Sequence, residues 1–582
     1  GPAPRHSGDA TASGLAHGDG HRVPSTRGRH EMAGRGRTAL TTQLRRTLAA
    51  HETAHHTGIP VDDVVGEARD AAVREAAVRD DAPREDAARP PSRRDVVRTV
   101  GLAAAGGIVA AAAGQPVPAA AAEPDVVVVG AGLAGLRAAH WLWRVKGIPS
   151  AVYEGSSRTG GRCWTLRGHF PGYVVEHGGA LVNTDHNAFR NLARSLGLTL
   201  DTVNGGSYAG WVDKYWIDGA DYPYDAANAD WGQVWLGVKN ALKAAPYPQT
   251  HDSWTPAGRA LDDMTIDQWL DANVPGGLSS RFAQLMQSNA VAEYGLDPSQ
   301  QSALSYVYLL GWNGQNSLAP INGADEKYSV TGGNDQVVTR MVAELPAGTV
   351  RHGHRLTAVR ALADGRVRLA FATGGATLEV TARRVVLALP FTTLRDVDLG
   401  QAGLSPVTRR AIDELGLGAN AKLHLGMGRR PWVEQGYGGA VYTGLQGFQC
   451  GWDDTADQPL PGGVLNLFPG GSQVSQGWSG PAFGVPTATQ VQGYLAQVEP
   501  IFPGVTAAYT GVSYRDFWHA NPWSRGAYTA LRPGQYTRVF GAGSMPEGSI
   551  HFAGEHTSTY WFGFLNGAVE SGERAAKAIA LS

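Results

Sequence analysis

The stretch at 124–136, PDVVVVGAGLAGL, constrains the fold more than any other part of the chain. Four consecutive valines, Val126 to Val129, read as a strand buried on both faces of a parallel sheet, because a half-solvated strand would alternate apolar with polar residues. Gly130 allows the tight turn that follows, Gly132 lets backbone amides approach a pyrophosphate, and Gly135 lets the next helix pack close to the strand. That helix is expected to run through Leu136 and Trp141 until Gly147 and Pro149 stop it. A second strand, SAVYE, ends at Glu154, about 20 residues past the turn, where a carboxylate can take ribose hydroxyls. This order of strand, glycine turn, helix, strand and acid predicts a dinucleotide-binding unit and leaves NAD and FAD both open.

Such a unit usually opens a chain, yet here a long preface precedes it. Before Trp141 there is no Phe, Tyr or Trp, and before Lys146 there is no lysine. A segment without aromatics buries little, so most of residues 1–123 is expected outside the catalytic fold. Residues 1–31 are rich in Gly, Pro and His and begin without methionine, Met32 being a candidate start; their histidines lack ligand spacing. Apolar residues recur every four positions at Leu40, Leu44 and Leu48, and at Val64, Ala68, Ala72 and Ala76. Residues 1–91 are therefore read as a poorly ordered or weakly helical extension. In 92–122, Arg93 and Arg94 precede an Ala/Gly stretch ending in alanines near Ala122. This segment resembles a twin-arginine export signal, which implies a periplasmic or extracellular protein, or a cytoplasmic one if the signal is unused. An alanine-rich linker is the alternative, and the stretch is too weakly apolar for a stable membrane span.

A chain of 582 residues calls for two or more domains. A formal net charge of -2 argues against a nucleic-acid or polyanion binder. Two distant cysteines, Cys163 and Cys450, suggest neither a disulfide framework nor a metal site.

The residues after Glu154 choose the cofactor. EGSSRTGGRCWT, with Arg158, Gly160, Gly161 and Arg162, resembles the second fingerprint of the flavin amine oxidase family, whose glycine pair and arginine lie over the FAD phosphates and the flavin edge. HFAGEHTSTYWFGFLNGAVESGERAA is similar to that family's last FAD-binding segment. The resemblance places Gly554 and Glu555 near the pyrophosphate and Gly563, Phe564 and Leu565 at the flavin ring. It adds Gly179 and Ala180 of EHGGALVN and Leu356 of HRLTAV to the cofactor set, with VVLALP as a further strand of the same domain. The fold class implied is α/β (α+β), a Rossmann-like FAD-binding domain interleaved with a mixed-sheet and helical substrate-binding domain. FAD-binding segments are expected at 123–200, 326–411 and 521–582, with substrate segments at 201–325 and 412–520.

The resemblance also carries catalytic roles. Lys422, in the polar/apolar alternation of LGLGANAKLHLG, falls where the family keeps a lysine that holds a water against flavin N5; it is expected as an exposed pocket amine with little packing. Tyr528 and Phe564 fall on the two walls of an aromatic cage before the flavin. Ring faces attract an ammonium by about 0.5 to 2 kcal/mol. Removal from water disfavours the charged amine by roughly 4 to 7 kcal/mol, so a dry pocket leaves the lone pair that hydride loss requires.

Three positions depart from relatives within the family. Ala527 stands where monoamine oxidases attach FAD through cysteine, implying non-covalent FAD; Val182 stands where L-amino-acid oxidases carry a carboxylate-binding arginine; Phe564 replaces the tyrosine of animal monoamine oxidases. Glu326 is either an anchor for the distal ammonium of a diamine or a surface carboxylate. The expected reaction is oxidation of a primary or secondary amine to an imine, with O2 reduced to peroxide. An L-amino-acid oxidase, a flavoprotein dehydrogenase or desaturase serving a partner, and a non-catalytic FAD module remain open, and a homodimer is compatible with all of them.

Overall fold

Val126–Val129 is buried along its whole length because its two faces serve two different cores. Val127 and Val129 pack with Leu387, Leu356 and Phe371, whereas Val126 and Val128 pack with Leu136, Leu142 and Val569. The computed structural model describes residues 125–203, 213–319 and 325–582. The extension at 1–91 and the arginine-pair segment at 92–122 lie outside the described residues.

The valine strand is the middle member of a five-stranded sheet ordered Ile550–Phe552, Arg384–Leu387, Val126–Val129, Ala151–Tyr153, Val350–Arg351, with every pairing parallel. Its strands come from three well-separated stretches of chain. The helix Leu133–Lys146 begins at Gly132 and stops at Gly147, whose φ of 66° is the left-handed conformation that ends helices. It lies against the C-terminal helix Leu565–Leu581, so closely that a Cβ on Gly572 would stand 2.3 Å from the Ala134 carbonyl oxygen.

HRLTAV does not join the parallel sheet. Its strand, Arg355–Ala361, lies in a separate four-stranded sheet with Ala376–Ala382, Val367–Thr373 and Asp398–Gln401. Leu356 is buried in the core shared by the two sheets, so its side chain packs apolar surface.

The third sheet has eight strands and is mixed. The strand Lys422–Met427 runs through its interior, antiparallel to both Tyr509–Asp516 and Gly463–Phe468. Its alternation is real, but neither face is wet: all six residues are buried. Leu423, Leu425 and Met427 enter an apolar cluster, and Lys422, His424 and Gly426 point to the other, covered face. Helices Tyr224–Ala244, Arg281–Tyr294 and Ala303–Leu310 build a further core with the far end of this sheet. All described residues fall in one compact unit, and no described helix is long and apolar enough to cross a membrane.

Candidate active site

The glycines after the valine strand divide into those that are crowded and those that are open. A Cβ on Gly135 would stand 2.0 Å from the Gly130 carbonyl oxygen, and one on Gly130, at φ 101°, would stand 2.7 Å from the Ala388 oxygen. Both positions are closed to any larger residue. A Cβ on Gly132, in contrast, would meet nothing within 4 Å, and one on Gly161 would meet only the Gly132 Cα at 3.4 Å. Space is thus kept clear at a helix N-terminus, where unpaired amides and the helix dipole favour a phosphate. That cradle fits the pyrophosphate of FAD.

The surrounding side chains shape it. Glu154 accepts hydrogen bonds from the Ala131 amide at 2.7 Å and the Ser156 amide at 2.8 Å, which fixes its carboxylate at the edge where a ribose would lie. Arg158 donates to the carbonyls of Thr159 (3.2 Å) and Gly161 (2.7 Å), and its guanidinium stands 4.1 Å over the Trp164 ring. It stiffens the left-handed turn through Gly160 and Gly161. Arg162 donates to the Ala527 carbonyl and to Glu555, both at 2.7 Å. Glu555 also accepts from Thr529 Oγ1 at 2.8 Å and from the Gly563 amide at 2.6 Å. Burial alone would push this carboxyl up, but Arg162 and the other donors outweigh it and hold it below the usual value. One ionised group therefore ties together the arginine after the glycine pair, the Tyr528 segment and the turn before Phe564. Asn334 Nδ2 donates to the carbonyls of Gly179 (3.0 Å) and Ala180 (2.8 Å), and Leu565 closes on Gly179, where a Cβ would stand 2.8 Å from its side chain. Gly554, at φ 133°, donates its amide to Ser571 Oγ at 2.9 Å.

Gly563 lies beside the ring of one cage candidate and directly precedes the other in the chain. The Tyr528 ring would lie 3.8 Å from a Cβ on Gly563, and Phe564 follows as the N-cap of the helix Leu565–Leu581. The Tyr528 hydroxyl donates to the Ala292 carbonyl at 3.0 Å, and the Phe564 ring lies 4.8 Å from that of His186. Lys422 corrects the sequence reading. It is only 4 % exposed, and its Nζ donates to the carbonyls of Glu176 at 2.8 Å and Gly178 at 3.0 Å. It is neither a solvated lysine nor a loose pocket amine. Ala527 and Val182 are buried, and Cys163 and Cys450 are buried free thiols.

Two groups of residues escaped the sequence reading. Glu293 and Asp213 join Glu326 around Cys450, where all three charges are felt; Glu293 and Glu326 are felt at Tyr528, and Glu326 and Asp213 at Tyr442. Glu326 is thus half-buried beside other acids rather than a fully exposed carboxylate. Burial pushes it up to about 8 and Glu293 up to about 7. The second group is Glu176, His177, His424 and Asp516, all buried beside Lys422. Burial pushes Glu176 up to about 8. The only sequence signal was the unusual density of polar residues in otherwise apolar strands. Among the described residues, no group of three His, Cys, Asp or Glu side chains is arranged to hold a metal.

With this geometry in hand, the chain can be placed among known proteins. The model of the family "Flavin containing amine oxidoreductase" matches residues 133–580. The flavin-containing amine oxidase A of Equus caballus is 26% identical over 476 residues, covering 78% of this chain and 84% of that protein. That of Sus scrofa is 27% identical over 473 residues, with coverages of 78% and 84%. Among solved structures, cyclohexylamine oxidase from Brevibacterium oxydans IH-35A superposes with a TM-score of 0.67 at 22% identity, covering 79% of this chain and 99% of that one. A putrescine oxidase bound to putrescine gives 0.66 at 23%, with the same coverages, so both likenesses speak to the fold. The dinucleotide cradle, the second glycine pair, the Glu555 hub and a family match over most of the described fold lead to one conclusion: the chain belongs to the flavin containing amine oxidoreductases, enzymes that oxidise an amine C–N bond with bound FAD.

Proposed function

We propose that this chain is an oxidase of amines that carry a second cationic group and no carboxylate, with O2 as acceptor and FAD held non-covalently. The observation that supports it is the pair of carboxylates, Glu293 and Glu326, whose charges are felt at Tyr528. Burial is the sole influence on Glu293, with no cation or hydrogen bond offsetting it. Asn289, one turn earlier on the same helix face, is 1 % exposed with both side-chain amide atoms unpartnered. Buried polar atoms of this kind need partners, and a distal ammonium would donate to the Asn289 Oδ1. A substrate carboxylate would meet Glu293 and Glu326, with Val182 in place of a matching arginine, which disfavours the L-amino-acid reading.

FAD supplies the hydride-accepting chemistry when bound. The chain's own residues do the rest. Tyr528 and Phe564 exclude water beside the flavin site and favour the neutral amine. Lys422 points an ammonium held by two carbonyls toward the flavin edge, where it can hold a water. The acids bind the far end of the substrate.

The reading is tested by peroxide release from diamines, aryl-alkyl monoamines and L-amino acids. Diamines should give the highest kcat/KM, and Glu293→Gln should lower it about ten-fold, the scale of a lost charge-assisted contact, while changing monoamine turnover little. Acids raised by burial hold their protons until a dication arrives, so the diamine KM should rise as pH falls below 7. Amino acids turned over as well as diamines, or an equal loss on both amine classes, would sink the proposal.

A further inference from the structure

Beside Lys422 lies a buried polar cluster to which the amine oxidation described above gives no role. Asp516 stands directly opposite Lys422 in the antiparallel pairing of Lys422–Met427 with Tyr509–Asp516. Its Oδ1 accepts from His177 Nδ1 at 2.5 Å and its Oδ2 from His424 Nε2 at 3.2 Å. The side chains of Asp516 and His424 have no exposed surface and that of His177 has 2 %. Burial alone would push the Asp516 carboxyl up, but the two imidazole bonds outweigh it and hold the group below its usual value. Burial holds His177 below its usual value, so its ring is the neutral donor to an ionised carboxylate.

Both imidazoles lead to the lysine. His424 is two residues along the same strand and on the same face as Lys422. His177 sits between Glu176 and Gly178, the two residues whose carbonyls receive Lys422 Nζ at 2.8 and 3.0 Å. The loop is fixed around that ring. His177 stacks on Trp164 with centroids 3.6 Å apart, donates its amide to the Trp164 carbonyl at 3.0 Å, and accepts from Trp518 Nε1 at 2.8 Å. One carboxylate thus clasps the strand that carries the lysine to the loop that receives it. An ammonium has three donors; the carbonyls take two and set the direction of the third.

We propose that Asp516 is a positioning residue for Lys422: through His177 and His424 it holds the carbonyl pair that aims the lysine ammonium at the flavin site. This rests on the reading of Lys422 as a flavin-facing residue. A clasp that only cross-links the core would matter equally whether or not the lysine is present, and that difference makes the idea testable.

The experiment uses four FAD-loaded enzymes: wild type, Asp516→Asn, Lys422→Met and the double variant. Flavin reduction by amine and reoxidation are followed in single turnovers, and the visible absorption band of the oxidised flavin is recorded without substrate. Asp516→Asn should slow the same half-reaction as Lys422→Met, by about ten-fold, and shift the flavin band in the same direction. In the Lys422→Met background it should add less than about a two-fold loss and no further shift, because residues acting as one unit are non-additive. Equal losses in both backgrounds, or wild-type rates and spectrum for Asp516→Asn, would overturn the positioning role. Wild-type behaviour of Lys422→Met would instead overturn the reading of the lysine, and this inference with it. If Asp516→Asn loses its flavin, His424→Gln, which cuts one arm of the clasp, is carried through the same scheme; flavin loss in both assigns the cluster to folding and also overturns the proposal.

Discussion

Replacing Lys422 with Met removes an ammonium that donates to the Glu176 and Gly178 carbonyls and leaves the buried Glu176 oxygen and the half-buried Gly178 oxygen without that donor. Stranding buried acceptors costs about 1–3 kcal/mol, so Lys422→Met should unfold at lower urea while still binding FAD, and should slow one redox half-reaction, reoxidation being the one expected. An unchanged unfolding midpoint would show that the carbonyls find other partners. The sequence alone argues for the opposite cost, because KLHLGM reveals that Lys422, His424 and Gly426 share a face but not what covers it. The covering partners are remote. Lys422 meets Glu176 across 246 residues and Asp516 meets His177 across 339, separations no local pattern encodes. Glu326 is ambiguous in the sequence for the same reason: the carboxylate that raises it most, Glu293, is brought there by another element.

At the level of elements, what depends on neighbours along the chain was legible and what depends on pairing was not. The valine strand, the crowded Gly135, the open Gly132 and the stop at Gly147 all follow from the local geometry that glycine permits. The order of the parallel strands, and the placement of Arg355–Ala361 in a second sheet, depend on which apolar faces meet. The cofactor site is made from the ends of such elements: the turn at Gly130–Gly135, the Gly160–Gly161 turn, and the start of the helix Leu565–Leu581. Ala527, at the position where the resemblance puts the attaching cysteine, has no thiol, and we propose that the flavin is held non-covalently. Acid denaturation should therefore release the flavin into the supernatant; yellow colour kept by the precipitate would show an attachment this site does not provide.

On the scale of the whole molecule, the Arg162–Glu555 bond joins residues 393 apart, so the flavin site is complete only when the chain between them has folded. FAD binds the folded state and stabilises it by mass action, and a chain threaded unfolded through a membrane would leave a non-covalent cofactor behind. If this enzyme is exported, it must travel folded. We propose that the segment 92–122, with Arg93 and Arg94 before its Ala/Gly stretch, directs it to the twin-arginine route, which accepts folded cargo. Changing both arginines to lysine keeps the charge but removes the planar guanidinium pair such a signal presents. The variant should then remain in the cytoplasm, flavin-loaded and active in lysates, while the parent enzyme collects outside that compartment. An unchanged distribution, or exported enzyme that still begins upstream of Glu123, would assign these residues to something other than a cleaved export signal.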